Sequence, residues 1–490
     1  MQRLYEGSMM IFVVLAVGLV LRLPLLNGSF WLDEAAQAIE STQPLSHITR
    51  IVDDFQPPLM TMLVHSLLFF SHQEWWLRLG TALVPGVVTI WATYEIGKKM
   101  WSKEVGLMAS LLLATSSFHI FYSQELRPYA LPAMFAALSW LILLGILEQK
   151  KMSGRHFLFL LLLSVLGIYS SYMYFFVLAT QLGYVFVFKS TLRKQTFLWA
   201  VGCALSFLPW LPTFLAQLHA GQLLQIQLPG WKNIVGFDQF KSAALIFTKF
   251  LFGVIHLDIT IWLGIVAIAL ILGFGKVLFQ LKPQVVKKSL PLILWLILPI
   301  FLAWVVSFFV PILQPKRVLF CLPVAYLLIS ALISSSKEKA FQYGLFGLLM
   351  SINLFSSASY YTNPKYQRED WRSLHQYITG KYPASESVAL FSFPEPFAPW
   401  RWYDDGKYPT FSTGVLSMKS LRDPSVFKKL TNYRYILVFD YLRDLTDPEN
   451  SILQALQKYG YVEVDRITPT TEIGFVRVYA RKESVIGMHL

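Results

Sequence analysis

The chain has 490 residues, of which 55% are hydrophobic and only 14% charged, and its mean hydropathy is +0.50. These values exclude an ordinary soluble globular protein and are typical of a membrane protein with several spans. The net charge of +13 would suggest nucleic acid as a partner of a soluble protein. In a membrane protein, lysine and arginine collect in cytoplasmic loops instead, so we expect no nucleic-acid binding.

The first apolar run, about residues 9–26, is longer than the hydrophobic region of a typical signal peptide. No small-residue cleavage site follows it. We therefore expect an uncleaved first transmembrane helix.

Further apolar runs of spanning length follow. The sequence predicts a polytopic α-helical membrane protein with about eleven transmembrane helices, near 9–26, 78–97, 104–122, 129–148, 157–171, 174–188, 196–216, 258–279, 289–310, 318–334 and 341–358. Two shorter runs, 57–72 and 240–256, are expected to be interfacial or re-entrant helices. A span at 57–72 would export the next three basic loops, against the positive-inside rule.

With a cytoplasmic N-terminus, this topology exports loops 27–77, 121–128, 217–257 and 311–317 together with the tail. The composition changes after residue 359, where strand-like and helical runs alternate. We therefore predict a transmembrane domain over 1–358 and an extracytoplasmic α/β domain over 359–490.

Asp33 and Glu34 follow Trp31 and Leu32 and place two adjacent carboxylates directly after the first span. Ionisable groups at membrane depth cost roughly 2.5–3.5 kcal/mol each at the bilayer centre and usually have a function. Apolar residues at 35, 38 and 39 predict an interfacial helix that would fix the carboxylates at the membrane boundary. One carboxylate could then act as a general base or help to hold a metal ion. In the alternative, both only cap the helix in headgroup water.

Asp54 and Gln56 precede Pro57 and Pro58, through which no helix can continue from before. One interpretation is a stiff bend that directs Asp54 and Gln56 into the same cavity as the first two acids. In the alternative, the prolines only begin the 57–72 helix.

Glu125 and Arg127 lie in the second exported loop, between two predicted spans, where a lone charge would be expensive. Either the two pair with each other, or they converge on the acids of the first loop.

Lys316 and Arg317 lie in the last exported loop. A guanidinium fork or an ammonium point charge at a lipid–water boundary suits a phosphate group. Snorkelling at a helix end is the alternative. Positive charge is scarce on the outer side of this chain, which favours the phosphate.

Several common kinds of site have no support in the sequence. No GxxxxGK[ST] or GxGxxG phosphate cradle, no HExxH pair and no GxSxG elbow occurs. Cys203 and Cys321 both fall in apolar segments, so a disulfide is not expected.

Together these motifs resemble those of bacterial GT-C glycosyltransferases, in particular the protein O-mannosyltransferase-like and aminoarabinose-transferase-like enzymes. The residues that carry the resemblance are Arg22, Trp31-Leu32-Asp33-Glu34, Asp54, Gln56-Pro57-Pro58-Leu59, Arg78-Leu79, Tyr122-Ser123-Gln124-Glu125, Arg127, Tyr129, Arg317 and Arg368-Glu369-Asp370-Trp371-Arg372. The resemblance is dense over residues 1–150 and sparse over 150–300. Two positions depart from it, since Gln56 stands where relatives often carry His and Val318 where an Arg-Tyr pair is common.

The resemblance implies a membrane glycosyltransferase that moves a sugar from a polyprenyl-phosphate donor to an acceptor hydroxyl on the outer face, with inversion. It implies Asp33 as the catalytic base, with Glu34 beside it and Glu125 as the acid of the second loop. Arg317 would hold the lipid phosphate. The other expected substrate-binding residues are Asp54, Gln56, Arg127, Tyr129 and Lys316.

The expected location is a bacterial inner membrane, with membrane lipids around the protein and a glycan, lipid or protein as acceptor. No cofactor is indicated with certainty, because acids such as Asp33 and Glu125 fit a divalent metal site as well as a metal-free base. The rival hypothesis is a flippase, transporter or structural subunit that handles lipid-linked sugars. Transporters often contain internal repeats; none is visible here, and the acids cluster in outer loops, which favours the enzyme.

Overall fold

The computed structural model describes residues 2–52, 54–149, 151–228, 239–255, 261–279, 283–421, 424–469, 471 and 473–482. The chain divides into two compact units. The helical unit consists of Met1–Leu26, Pro44–Leu218 and Gly236–Tyr366. The sheet unit consists of Asn27–Gln43, His219–Val235 and Gln367–Leu490. The predicted boundary near residue 359 stays a prediction.

Most of the α-helices belong to the helical unit. They run over Gln2–Val20, Leu45–Ile48, Leu59–Leu68, Glu74–Arg78, Val84–Met100, Lys103–Thr115, Ser117–Tyr122, Ala130–Gln149, Gly154–Ser170, Tyr174–Phe188, Arg193–Phe207, Leu211–Gln227, Gln239–Phe252, Ile261–Phe279, Pro283–Val306, Leu322–Ser334 and Lys339–Thr362. A π-helical turn, Leu79–Leu83, and short 3₁₀ segments at Ser190–Leu192, Leu208–Trp210, Pro315–Cys321 and Pro364–Tyr366 connect some of them.

The chain is an integral membrane protein, and 5 helical stretches among the described residues are long and apolar enough to cross a bilayer. They are Glu74–Met100, Ala130–Gln149, Ser190–Leu224, Pro283–Val306 and Pro315–Ser334. Shorter apolar helices lie at Met9–Val20, Leu59–Leu68, Gly154–Ser170, Tyr174–Phe188 and Gly264–Phe279. A helix is present in each range predicted to span, but many of these helices are short.

The predicted span at 104–122 shows why. Ser116 takes an extended conformation and divides it into Lys103–Thr115 and Ser117–Tyr122. The first piece has 13 residues and is about 20 Å long, less than the hydrocarbon thickness of about 30 Å.

The two ambiguous apolar runs are also short helices. Leu59–Leu68 has 10 residues and Gln239–Phe252 has 14. At 1.5 Å per residue they measure about 15 Å and about 21 Å, so neither crosses the bilayer core alone.

Glycine allows two neighbouring helices of the helical unit to approach closely. A Cβ atom at Gly97 would lie 2.6 Å from the Cα of Gly106, and one at Gly106 would lie 2.5 Å from the carbonyl oxygen of Tyr94. Small residues at such crossings let helix backbones pack directly in membranes, where van der Waals contact is a main attractive force.

The sheet unit is built on a mixed five-stranded sheet. Its strands are β1 (Ser387–Phe391), β2 (Thr410–Ser412), β3 (Tyr435–Phe439), β4 (Tyr461–Ile467) and β5 (Val476–Arg481), in the order β2-β1-β3-β5-β4. Strand β1 is parallel to β2 and β3, whereas β3 and β4 are antiparallel to β5. The helices of this unit are Leu32–Ser41, Trp371–Lys381, Ala398–Asp404, Arg443–Thr446 and Ser451–Lys458, with 3₁₀ segments at Met418–Ser420 and Pro424–Asn432.

The sequence predicts four of these strands, at 388–392, 435–440, 461–466 and 475–480. The structure contains all four, and each begins within one residue of its predicted first residue. An aromatic core covers one face of the central strands, where the rings of Trp371 and Phe391 both stack on Phe439. Leu32, from the first exported loop, packs against the same core. The helix that carries Asp33 is therefore part of the sheet unit.

We predict that Gly97→Ala lowers the free energy of unfolding by about 1–3 kcal/mol, because the added methyl group meets the Gly106 backbone. The measurement is the apparent unfolding temperature in detergent. Gly145→Ala is the matched control, since a Cβ there meets only the flexible end of Lys99 at 3.9 Å, and alanine is the better helix former. Equal unfolding temperatures for both variants would contradict the packing argument.

Candidate active site

Asp33 and Glu34 lie in the first turn of the Leu32–Ser41 helix, whose N-cap residue is Trp31. Both carboxylates therefore lie inside the helix, at its second and third residues, and not at the N-cap position. At this end the helix dipole favours negative charge.

Glu34 has no exposed surface, and its Oε2 lies 3.9 Å from Nε of Arg368, whose side chain is 8% exposed. A buried carboxylate needs a charged or hydrogen-bonding partner, because its desolvation is costly. The contact joins the first loop to the Arg368–Arg372 segment, 334 residues later along the chain. This segment is part of the family resemblance, but the sequence alone assigns Arg368 no role.

Glu369 is a second carboxyl group near Asp33. Its Oε2 accepts a hydrogen bond of 2.6 Å from Trp371 Nε1, and its Oε1 accepts one of 2.9 Å from Tyr441 Oη. Burial raises the pKa of Glu369 to about 7; the two hydrogen bonds oppose this rise, and the neighbouring charge of Asp33 adds to it. A carboxyl group with such a pKa changes its charge near neutral pH, which is typical of groups that take part in proton transfer.

The chain that leads into the Asp33 helix is held by hydrogen bonds. The backbone N–H of Phe30 donates to Tyr403 Oη at 2.7 Å, and the N–H of Arg372 donates to Ser29 Oγ at 3.0 Å. The Arg372 guanidinium also donates to the carbonyl oxygen of Asn27 at 3.2 Å. These bonds fix the start of the helix and thereby the position of Asp33 within the sheet unit.

In the helical unit, Asp54 forms an ion pair with Arg127. Nη2 of Arg127 lies 3.7 Å from Oδ1 of Asp54, and both side chains are 16% exposed. The amide of Gln56 donates to the other carboxylate oxygen, and the Gln56 N–H donates to the Asp54 carbonyl oxygen at 2.6 Å. Asp54, Gln56 and Arg127, which the sequence predicts as binding residues, therefore form one cluster.

A second contact extends this cluster. Lys316 Nζ lies 5.5 Å from the ring centre of Tyr129, within the range of a cation–π interaction. The Tyr129 N–H donates to the Arg127 carbonyl oxygen at 2.8 Å. Arg317 follows Lys316, and its guanidinium makes long contacts of 3.4 and 3.5 Å with the carbonyl oxygens of Pro311 and Ile312. The cationic side chains of Arg127, Lys316 and Arg317 are thus linked through these contacts or by adjacency in the sequence.

Glu125 is 1% exposed and lies two residues from Arg127. The loop that carries it is anchored by its neighbour Gln124, which accepts a hydrogen bond of 2.9 Å from Tyr360 Oη. Arg127 pairs with Asp54 of the first loop. For Arg127 the structure thus supports the second alternative, in which the second exported loop contacts an acid of the first.

The predicted site residues fall into two groups. Asp33 and Glu34 belong to the sheet unit, whereas the other seven belong to the helical unit. Among the described residues, no three His, Cys, Asp or Glu side chains are grouped so that they could hold a metal ion.

A cavity of about 530 Å³ lies elsewhere in the helical unit, and its polar lining residues are Glu95, Lys98, Lys99, Glu148 and His156. Lys98 pairs with Glu95 at 3.1 Å and Lys99 with Glu148 at 2.5 Å. The lining charges largely compensate one another, and no predicted site residue is among them.

Residues 56–214 match the family model described as dolichyl-phosphate-mannose-protein mannosyltransferase. No curated protein matches the chain significantly.

Solved structures resemble the chain over almost its whole length. ArnT from Cupriavidus metallidurans in the apo state has a TM-score of 0.55 and 11% identity, covering 97% of this chain and 98% of that one. The same protein bound to undecaprenyl phosphate has a TM-score of 0.56 and 11% identity, covering 96% and 97%. The Archaeoglobus fulgidus oligosaccharyltransferase AglB, in complex with an inhibitory peptide and a dolichol-phosphate, has a TM-score of 0.53 and 14% identity, covering 96% and 74%.

At these identities the structural likeness shows the fold, and the family model adds the sequence relationship. The resemblance predicted from the motifs is confirmed, and the enzyme is favoured over the transporter. Residues 56–214 thus resemble the dolichyl-phosphate-mannose-protein mannosyltransferase family, the chain has the fold of ArnT and AglB, and these similarities indicate a glycosyltransferase.

Proposed function

We propose that the protein transfers a sugar from a polyprenyl-phosphate donor to an acceptor hydroxyl, with inversion at the anomeric carbon. The observation that carries this proposal is the family match over residues 56–214, which contains Gln56, Arg127 and Tyr129 of the cationic cluster. The similar structures bound to undecaprenyl phosphate and to a dolichol-phosphate support a lipid-phosphate donor.

In the proposed reaction the acceptor oxygen attacks the anomeric carbon, and the bond from that carbon to the phosphate oxygen breaks. The acceptor hydroxyl gives its proton to Asp33. The departing lipid phosphate takes the electron pair of the broken bond. Cationic side chains that meet the growing phosphate charge lower the barrier, since they stabilise the transition state more than the ground state.

Lys316 and Arg317 are the proposed phosphate ligands, and the ion pair of Asp54 with Arg127 is the proposed sugar- or phosphate-orienting group. A guanidinium offers five donors in a fork that matches phosphate oxygens. The contact with Asp54 orients this fork in Arg127. The Lys316 ammonium is positioned by a cation–π contact with the Tyr129 ring. The Asp54 carboxylate accepts a hydrogen bond from the Gln56 side-chain amide.

Asp33 is proposed as the base, with Glu34 and Glu125 as further acidic residues of the site. Two observations support Asp33. Its helix start is fixed by Tyr403 and Arg372, and it is partly exposed whereas Glu34 is fully buried against Arg368. A base must reach its substrate, and of the two adjacent acids Asp33 is the accessible one.

We also propose the finer topology that the sequence predicts. It has about eleven spans, a bacterial inner membrane as location, and the candidate site and the C-terminal domain on the outer face. The acceptor is a glycan, lipid or protein hydroxyl.

The first test is turnover of purified protein with a panel of radiolabelled polyprenyl-phosphate sugars and envelope acceptors, with and without EDTA. We expect Asp33→Asn to lower turnover at least about 100-fold, because general-base catalysis contributes about that much or more. Asp405→Asn is the matched control in the same unit. Its side chain is 83% exposed, and asparagine tolerates its left-handed backbone (φ 52°). Full activity of Asp33→Asn would show that Asp33 is not the base, and EDTA sensitivity would show a metal requirement.

Removal of the proposed phosphate ligands gives a second prediction. Lys316→Ala and Arg317→Ala should each lower kcat/KM for the lipid donor about 10- to 100-fold, the effect of losing a charged hydrogen bond to the leaving group. Steady-state kinetics with varied donor measures this. Lys365→Ala, an exposed lysine of the same unit, should leave kcat/KM unchanged. Wild-type kinetics in both site variants would remove Lys316 and Arg317 from the donor site.

The pH dependence of turnover gives a third prediction. When pH rises through about 7, Glu369 loses its proton, and its negative charge near Asp33 then helps to attract the proton that leaves the acceptor hydroxyl. We therefore expect kcat to rise between about pH 6 and about pH 8. In Glu369→Gln this rise should be absent, whereas Glu395→Gln, whose carboxylate is 62% exposed, should retain it. A rise of the same size in Glu369→Gln would show that another group causes it.

A further inference from the structure

We propose that Gln217 is a positioning residue, which holds Ile51, Asp54 and Gln56 of the first loop in the conformation that brings Asp54 to Arg127. This inference rests on the proposed function for its consequence in catalysis, because Asp54 and Arg127 are proposed substrate-binding residues. The structural part can be tested separately.

The side-chain amide nitrogen of Gln217 donates to three carbonyl oxygens of this loop. The distances are 2.8 Å to Ile51, 2.8 Å to Asp54 and 3.2 Å to Gln56. An amide nitrogen carries two hydrogens, so the longest bond shares a hydrogen with another. The carbonyl oxygens of Ile51, Asp54 and Gln56 are thus all directed toward the same nitrogen atom.

The side-chain amide of Gln217 is itself held by a hydrogen bond to its oxygen. Its oxygen accepts a hydrogen bond of 2.6 Å from Tyr172 Oη, which in turn accepts one of 2.8 Å from Trp210 Nε1. Gln217 is 2% exposed and Trp210 5% exposed. Tyr172, between them, is half-buried, so water has limited access to this chain of hydrogen bonds and weakens it little.

The same loop makes a tight turn. The N–H of Gln56 reaches back to the carbonyl oxygen of Asp54 at 2.6 Å, a spacing of two residues that forms a γ-turn around Phe55. Pro57 and Pro58 follow and supply no backbone N–H donor. The carbonyl oxygens of residues 51, 54 and 56 lie outside regular helix, and Gln217 provides a side-chain donor to all three, in addition to the Gln56 N–H at Asp54.

The consequence for Asp54 is direct. Its backbone is held by Gln217, and its carboxylate meets Arg127 3.7 Å away. A shift of the loop by about 1 Å changes this pair, and a misplacement of that size can lower the rate of an enzyme about 100-fold.

The first measurement is hydrogen exchange of peptides that cover residues 49–56, followed by mass spectrometry on the purified full-length protein. Gln217→Leu keeps the shape of the side chain and removes its donors and acceptor. We expect the backbone N–H of Gln56 to exchange at least about tenfold faster in this variant. Without the Gln217 hydrogen bonds the loop opens more often, and the turn that protects this N–H opens with it.

The matched control is Gln181→Leu. Gln181 is also a fully buried glutamine of the helical unit, and its amide donates to Ser139 Oγ at 2.8 Å instead of to the loop. Exchange over 49–56 should equal that of the wild type in this control. Equal exchange rates in Gln217→Leu and Gln181→Leu would overturn the proposal.

The second measurement is a double-mutant cycle on kcat/KM with the donor that the turnover assay identifies. We expect Gln217→Leu to lower kcat/KM about 10- to 100-fold in the wild-type background and to have little further effect in Asp54→Asn, because both changes act on the same group. An undiminished effect of Gln217→Leu in Asp54→Asn would mean that Gln217 acts through the stability of the helices, which overturns a positioning role.

Two further outcomes are distinguishable. If the wild type transfers no sugar, the proposed function fails, and the exchange measurement still decides whether Gln217 holds the loop. If Gln217→Leu does not yield monodisperse protein, Tyr172→Phe takes its place. It removes the hydrogen bonds of Tyr172 Oη with the Gln217 side-chain oxygen and with Trp210 Nε1 but leaves the Gln217 donors in place, and it should accelerate exchange over 49–56 by a smaller factor.

Discussion

The end of the first helix imposes the constraint on which the candidate site depends. After Val20 the chain leaves regular helix, and side chains from elsewhere in the helical unit take up its carbonyl groups. Tyr361 donates to Leu21, Gln124 to Arg22 and Pro24, and Arg78 to Leu26 at 2.8 Å. Leu25, between two of these contacts, has a left-handed backbone (φ 62°) that is uncommon for leucine.

Arg22 explains why the chain leaves the helix at this place. Its guanidinium has no exposed surface and donates to the carbonyl oxygens of Gly18 and Ala114 at 2.7 and 3.0 Å. It also lies 2.6 Å from Nδ1 of His119. Since arginine only donates hydrogen bonds, Nδ1 of His119 accepts and its proton is on Nε2. A buried guanidinium held in this way fixes the helix end against the two helices that lead to the second loop.

The same physical rule recurs in the loop of Asp54. Non-helical backbone at membrane depth is tolerated only where protein or water satisfies its carbonyl groups. Gln124 does this for Arg22 and Pro24, and Gln217 does it for Ile51, Asp54 and Gln56. In both cases one buried amide serves several carbonyl oxygens of a loop.

The helices could be predicted from the sequence because an uncharged apolar run of about 20 residues is rarely anything but a helix that spans a membrane. The break at Ser116 could not be predicted, because serine occurs within helices and nothing nearby indicates an extended residue. Strand β2 was missed because Thr410–Ser412 has 3 residues and lies at the sheet edge, too short for an alternating pattern. Gln217 resembles a tolerated polar residue in an apolar helix. Its role, like that of Arg368 and Glu369, depends on partners far away in the sequence.

The ion pairs also indicate what these residues are for. Removing two charges from water costs several kcal/mol per ion, and well-packed apolar residues often stabilise a fold as well or better. The pairs of Asp54 with Arg127 and of Glu34 with Arg368 are therefore poor devices for stability alone. Each pair joins an acid to a guanidinium, and the acid fixes the orientation of that guanidinium. Under the proposed function an oriented cation of this kind would meet the phosphate of the lipid-linked sugar donor, which gives such costly charges a role.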